Sequence, residues 1–285
     1  IFINVGANKG YQLIEFLALF SQTKTGLWEW GQALRQYAQE RRMHWLAHYS
    51  CGFCMDCRQP APRRHDRHGG KVHALELTAN NRAMLRSVLN ATGLSASVRV
   101  HDYAASNESR TMWHVPIFAG GETRELRTGS ERICRTSSAC SERVQVTTLD
   151  QFVEREGLAD IYHVAIDTEG HDALVIEGFR KTLAKRRVWL IEFEVNHAGF
   201  WTLKKRNELY RERRTLKGVT SWLSGAGYAC FWQTRGGLVP LSGPCWRGEF
   251  DSFRHWSNIV CAHDAAVVRQ FVRMAMRDFA NRHSD

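Results

Sequence analysis

The sequence lacks an apolar run of the ~20 residues that a membrane-spanning helix needs, so no transmembrane helix is expected. It lacks a signal peptide: Ile1-Phe2-Ile3-Asn4-Val5 has no basic segment before it and runs straight into a glycine turn. It lacks an initiating Met and opens inside what reads as a strand, so the natural protein is expected to extend upstream, where a targeting signal could lie. The compartment is therefore left open, with the cytoplasm as the default. There is no internal repeat and no low-complexity tract, which excludes repeat arrays and compositionally biased chains. The eight cysteines are not dense enough for a disulfide framework, and they fix no redox compartment.

What is present is a globular composition. Hydrophobic residues make up 44%, enough for a large core, which excludes disorder of the whole chain. A length of 285 residues suits one elaborated α/β domain, so residues 1–285 are read as a single domain. The net charge of +10 favours an anionic partner or surface, although a solvated basic surface accounts for it equally.

Residues 1–5 read as a strand, Gly6-Ala7-Asn8-Lys9-Gly10 as a turn, and Tyr11, Leu13, Ile14, Phe16 and Leu17 recur at helical spacing. Residues 21–70 are polar, aromatic and basic, and read as an insertion subdomain, helical near 28–48 and irregular beyond. Strands are predicted at 72–76 and 98–101 around a helix from 80 to 91. Residues 106–143 read as loop, with a hairpin near 112–118. Thr148-Leu149-Asp150-Gln151 has the form of a capping box opening a short helix. The spacing then predicts a strand at 161–166, a helix at 172–183, a strand at 188–195, a basic helix at 203–224, strands at 228–232 and 258–262, and a helix at 265–281. Strands alternating with helices imply a mostly parallel sheet with helices on both faces.

Three clusters carry chemistry. A strand ending in Gly6-x-Asn8-x-Gly10 and entering a helix brings backbone N–H groups and a helix N-terminus to the carboxyl edge of a sheet. It is not the G-x-G-x-x-G of dinucleotide binders, since Asn8 stands where that pattern needs Gly. Glu76 ends the next good strand, where a carboxylate can accept hydrogen bonds from both hydroxyls of a ribose; a plain surface Glu is the alternative. Asp167, Glu169 and His171 follow a buried strand, where open α/β sheets place their ligand crevice, and Glu192, Glu194 and His197 follow on the next. A helix cap is the structural alternative for Asp167, and a paired charge for Glu192.

Ile3-Asn4-Val5-Gly6-Ala7-Asn8-Lys9-Gly10-Tyr11 resembles the first motif of the FkbM methyltransferase family. Val72 to Glu76 with Asn80-Asn81 is similar to the second, and Val146-Thr147-Thr148-Leu149-Asp150 resembles its Val-x-x-Leu-Asp segment. Ile166-Asp167-Thr168-Glu169-Gly170 and the helix after it match its Asp-x-Glu-Gly signature, the most specific of the four. The resemblance covers roughly half the chain, in the family's order. It implies a class I, Rossmann-like fold that binds S-adenosylmethionine (SAM) and methylates a hydroxyl of a sugar or other small or glycan-like acceptor. The cofactor-binding set is then Asn4, Gly6, Ala7, Asn8, Gly10, Tyr11, Glu76, Leu77, Asp102, Tyr103 and Asp167, and the catalytic set Asp167, Glu169 and His171. Asn4 stands where the family has Asp, keeping an acceptor but losing the charge that attracts the cofactor's amino group. Ala165 stands where Lys is common, and the 21–70 insertion is atypical.

An alcohol is a poor nucleophile while protonated, so methyl transfer to oxygen needs a general base or a divalent cation. Crowded carboxylates serve either, by raising a pKa or by recruiting the ion. Cys51, Cys54 and Cys57 have spacing that could hold structural zinc with His48, His65 or His68, or could be ordinary thiols or disulfides. A nucleic-acid base methyltransferase is the rival suggested by charge, but the Asn/Asp-Pro-Pro-aromatic motif of amino-methylating enzymes is absent after Asp167. A SAM-type fold reduced to a binding module is the rival from another class.

Overall fold

The computed structural model describes residues 1–21, 23–42, 69–114, 142–196, 201, 214–234, 237–252 and 256–282. The chain divides into two compact units, residues 1–104 with 110–146, and residues 105–109 with 147–285.

In the first unit, β1 (Phe2–Val5) is buried at every position, as expected of a parallel strand covered on both faces. It pairs in parallel with β2 (Val72–Leu75), which pairs in parallel with β3 (Val98–His101). Helix α1 (Tyr11–Phe20) buries Leu13, Ile14, Phe16 and Leu17, and Phe16 stacks on Phe2 with ring centroids 4.8 Å apart. Helix α3 (Ala79–Ala91) buries Met84, Leu85, Val88 and Leu89.

The start of the expected insertion is an integral part of this unit. Helix α2 (Leu27–Glu40) opens at Gly26, whose N–H donates to Glu29 Oε2 at 2.8 Å. It buries Trp30, Leu34, Tyr37 and Ala38. Trp30 is fully buried and its Nε1–H donates to the Lys9 carbonyl at 2.7 Å. A Cβ on Gly10 would stand 2.7 Å from the Trp30 ring and 2.9 Å from Leu85, and Gly10 has φ 78°, so only glycine fits there. The cysteine cluster and its candidate histidines lie outside the described residues.

Strands border and enter the region read as loop, and the hairpin expected near 112–118 lies for the most part outside the described residues. β4 (Tyr103–Ala105), β5 (Arg110–His114) and β6 (Glu142–Thr147) form a small sheet in the order β4-β6-β5, with β5 and β6 antiparallel. In β6, Val144 and Val146 turn inward while Arg143 and Gln145 face solvent, an alternation visible in the sequence.

In the second unit, α4 (Leu149–Arg155) is capped by Thr148 Oγ1, which accepts from Gln151 N–H at 3.2 Å. The reciprocal half of the capping box is taken by Ser109: its hydroxyl donates to Gln151 Oε1, and its oxygen accepts the Thr148 N–H. β7 (Ile161–Ile166) runs parallel to β8 (Val188–Val195). β8 pairs antiparallel with β11 (Ser257–Ala262), β11 with β9 (Ala229–Thr234), and β9 with β10 (Gly237–Pro240).

The helix predicted at 172–183 is two helices, α5 (Asp172–Glu177) and α6 (Arg180–Ala184). Gly178 marks the break, because a Cβ there would lie 2.1 Å from the Ser106 carbonyl oxygen. Asp150 caps α6, accepting from Lys181 N–H at 3.0 Å and from Thr182 N–H and Oγ1–H at 2.8 and 2.7 Å. Gly178→Ala forces backbone apart and is expected to cost about 1–3 kcal/mol, read as a lower denaturant midpoint at unchanged slope.

The helix predicted from 203 begins later: α7 (Leu216–Gly225) starts at Thr215, whose Oγ1 accepts the Gly218 N–H at 3.0 Å, and residues 214–215 are not helical. Residues 202–213 lie outside the described residues. Helix α8 (Ala265–Arg282) closes the chain. Cys230 and Cys261 face each other across β9 and β11, are fully buried, and form a disulfide. Their separation of 31 residues gives an expected stabilisation of about 3–4 kcal/mol. A Cys230→Ala/Cys261→Ala chain should therefore melt well below the oxidised parent and at the temperature of the reduced one.

Candidate active site

In the first unit, the glycine turn and the end of β2 are tied together. Gly6 and Ala7 N–H both donate to the Leu75 carbonyl, at 3.0 and 3.3 Å, and Asn8 N–H donates to Glu76 Oε2 at 2.8 Å. The other Glu76 oxygen accepts the Thr78 N–H and hydroxyl, both at 2.9 Å. Burial raises the Glu76 pKa above the usual carboxylate value, opposed by hydrogen bonds from Thr78 and Asn8 and by the Arg82 charge. Glu76 N–H donates to the His101 carbonyl at 3.1 Å, which sets Asp102 and Tyr103 at the adjacent strand end, and Arg82 donates to the Leu77 carbonyl. The Asn4, Gly6–Asn8 and Glu76 positions thus share one edge. Gly10 and Tyr11 lead from it into α1.

This corrects one expectation: the turn's first amides are spent on Leu75 and Glu76 and are not free for a ligand. What remains is acceptors. Asn4 is buried and donates through Nδ2 to Gln12 Oε1 at 2.8 Å, while its Oδ1 and the Asn8 Oδ1 are buried with no partner among the described residues. A carboxylate has about four acceptor sites, so the three donors on Glu76 leave one. SAM offers matching donors in its ammonium and ribose hydroxyls. On this count of buried acceptors the residues fit the cofactor. The signal for Thr78 was its place as the cap of α3; Gln12 and Trp30 gave none.

In the second unit, β7 and β8 bring four carboxyl groups together. Asp167 hydrogen-bonds Glu194, and its pKa stands well above the ordinary value because of burial first, then the Glu194 charge and hydrogen bond, then Asp172 and Glu169. Asp172 is fully buried, accepting from Gly170 N–H at 3.2 Å and Glu194 N–H at 3.3 Å. Burial and Glu194 push it up to about 8. Asn196 donates to Glu194 Oε1. Glu169 and Gly170 both have left-handed backbone, φ 53° and 93°, an arrangement rare for Glu that aims the Asp-x-Glu turn. His171 sits at the N-cap of α5. Glu192 stands apart from this group: it faces His163 Nε2 at 3.5 Å and accepts from Asn258 at 3.1 Å. His197 lies outside the described residues.

Raised carboxyl pKa values mean the folded chain holds more protons than the unfolded one from the ordinary carboxyl range up to about pH 8. The stability from Asp167 and Asp172 is therefore full below about pH 4 and lost as pH rises through their folded values. Each titrating group tilts stability by up to about 1.4 kcal/mol per pH unit. Thermal melts between pH 5 and 9 are expected to show Tm falling as pH rises, with a shallower fall in Asp172→Asn.

A family model for the methyltransferase FkbM domain matches residues 4–230. Among solved structures, the chain is similar to methyltransferase FkbM from Methylobacillus flagellatus KT, at 10% identity and TM-score 0.41, over 91% of this chain and 42% of that one. It is also similar to the methyltransferase domain of bacterial CtHen1, at 10% identity and TM-score 0.31, over 93% of this chain and 89% of that one. Both structural likenesses are loose, and the chain spans under half the length of the first. No curated protein matches the chain.

Proposed function

We propose that this chain, which belongs to the FkbM methyltransferase family, transfers the methyl group of SAM to a hydroxyl of a sugar or other small or glycan-like acceptor. The observation that carries the cofactor half is the pair of buried acceptors without a partner among the described residues, Asn4 Oδ1 and Asn8 Oδ1, on the strand edge that holds Glu76. Asn4 and Asn8 accept from the cofactor's donors, and the last Glu76 acceptor site takes a ribose hydroxyl. When bound, SAM supplies an electrophilic methyl on a sulfonium.

The carboxyl group of Asp167, Glu169, Asp172 and Glu194 supplies the base. Asp167 hydrogen-bonds Glu194, and with its pKa held up by burial and by the Glu194 charge it is the acceptor for the alcohol proton. A group with a raised pKa is a stronger base than an ordinary carboxylate, which suits a weakly acidic alcohol. Asp172 holds the turn from beneath through Gly170 and Glu194 N–H. A divalent cation on the same carboxyls is the competing mechanism; activity that survives chelator favours the base, and loss with rescue by magnesium or manganese favours the ion.

Transfer of label from methyl-labelled SAM to hydroxyl-bearing saccharides tests the function. Label on an acceptor oxygen supports it. SAM binding with no label on any acceptor supports the second reading, a fold reduced to cofactor or partner binding, which the neutral Asn4 permits and the intact Asp167/Glu169 signature argues against. Label on nucleic acid would favour the reading suggested by the +10 charge.

A further inference from the structure

In the second unit, α7 and the segment after β10 line a cleft of about 490 Å³ that shares no residue with either cluster. Its volume falls in the range of about 300–1,000 Å³ usual for small-molecule sites. Lys217, Ser221 and Ser224 lie along one side of α7, at i, i+4 and i+7, while Leu216, Val219, Thr220 and Leu223 bury the other. Leu241, Pro244 and Trp246 form the facing wall. That wall is fixed: Leu241 N–H donates to the Cys230 carbonyl at 2.8 Å, and Ser242 Oγ accepts the Cys230 N–H at 2.7 Å. The Trp246 and Phe250 rings are nearly perpendicular with centroids 5.5 Å apart, and Phe250 packs near Trp232 at 5.9 Å.

Among the described residues the side-chain polar groups of the cleft are unspent. Asp251 accepts the Lys217 backbone N–H at 3.3 Å, but among the described residues nothing pairs with the Lys217 ammonium or the Ser221 and Ser224 hydroxyls. A packed tryptophan, two hydroxyls and one exposed cation are a set suited to a ring that is apolar on its faces, hydroxylated at its edge and negatively charged at one point. Among the described residues no amide side chain or carboxylate lines the cleft to read the ring nitrogens of a base, which sets these residues apart from a nucleotide site.

We propose that this cleft binds an acidic saccharide, a sugar ring carrying a carboxylate, sulfate or phosphate. Trp246 takes the ring face, Ser221 and Ser224 the hydroxyls, and Lys217 the anion. The site is independent of methyl transfer: it holds whether or not the two clusters handle SAM.

The test is NMR titration of the full chain with glucuronic acid, glucose 6-sulfate and glucose 6-phosphate, against glucose and adenosine monophosphate, following the tryptophan indole signals. At least one acidic sugar is expected to bind tenfold or more tightly than glucose, and the best of the three identifies the anion. Lys217→Met, an exposed position outside the core, should reduce that sugar to the level of glucose, and Trp246→Leu should weaken all sugars. SAM titrated into the same samples should bind as in the parent, so the two proposals fail separately. Equal binding of glucose, tighter binding of adenosine monophosphate, no sugar binding, or an acidic preference that survives Lys217→Met would each overturn the assignment.

Discussion

Asp167→Asn is expected to lower methyl transfer by about 10²–10⁴-fold, the usual worth of a positioned acid–base group, while SAM affinity changes little. Asn keeps the shape of Asp167 and a hydrogen bond to Glu194 but cannot take a proton. The loss should sit in kcat rather than KM, because the missing interaction is made as the alcohol loses its proton. Glu194→Gln should lower turnover too, since it removes the charge that helps to hold the Asp167 pKa up, and the effects of two residues in contact are not additive. Steady-state kinetics with the true acceptor checks both. Near-normal turnover in Asp167→Asn and in Glu169→Gln, with no effect of chelator, places the chemistry elsewhere.

Glu76→Ala is expected to weaken SAM by more than tenfold and to cost the fold about 1–3 kcal/mol. The two effects have one source. Asn8 N–H, Thr78 N–H and the Thr78 hydroxyl all end on this carboxylate, so its removal leaves three donors without an acceptor and loosens the glycine turn at Asn8, while Gly6 and Ala7 stay bonded to Leu75. Isothermal titration with SAM at a temperature where the variant remains folded separates affinity from stability. A variant that is destabilised yet binds SAM normally would show that Glu76 only braces the turn.

How far the sequence revealed this depended on the range of the interactions. β1, β7 and β8 were legible because buried parallel strands are nearly continuous apolar runs, and the Gly6–Gly10 and Asp167–Gly170 segments because a turn between strand and helix has few sequences that fit. The break at Gly178 was not legible: its cause is the approach of the Ser106 backbone, 72 positions away in sequence, to a residue whose local pattern is helical. Nor was the support of Gly10 by Trp30, since a polar, aromatic stretch gives no sign of which of its tryptophans points inward. Asp150 reads in the family pattern as part of a motif; in the structure its carboxylate caps α6. The turn's N–H groups looked available because sequence shows donors but not where they are spent.

The assignment of SAM to the glycine turn rests on Asn4, where the charge of the family's Asp is missing and one acceptor has no partner among the described residues. Calorimetric titration of SAM into the parent chain and into Asn4→Asp addresses it directly. The expected result is one SAM per chain in both, tighter in Asn4→Asp by several-fold, because a hydrogen bond to a charged group is worth about 1 kcal/mol more than a neutral one. No binding by either chain, or equal affinity in the two, contradicts it.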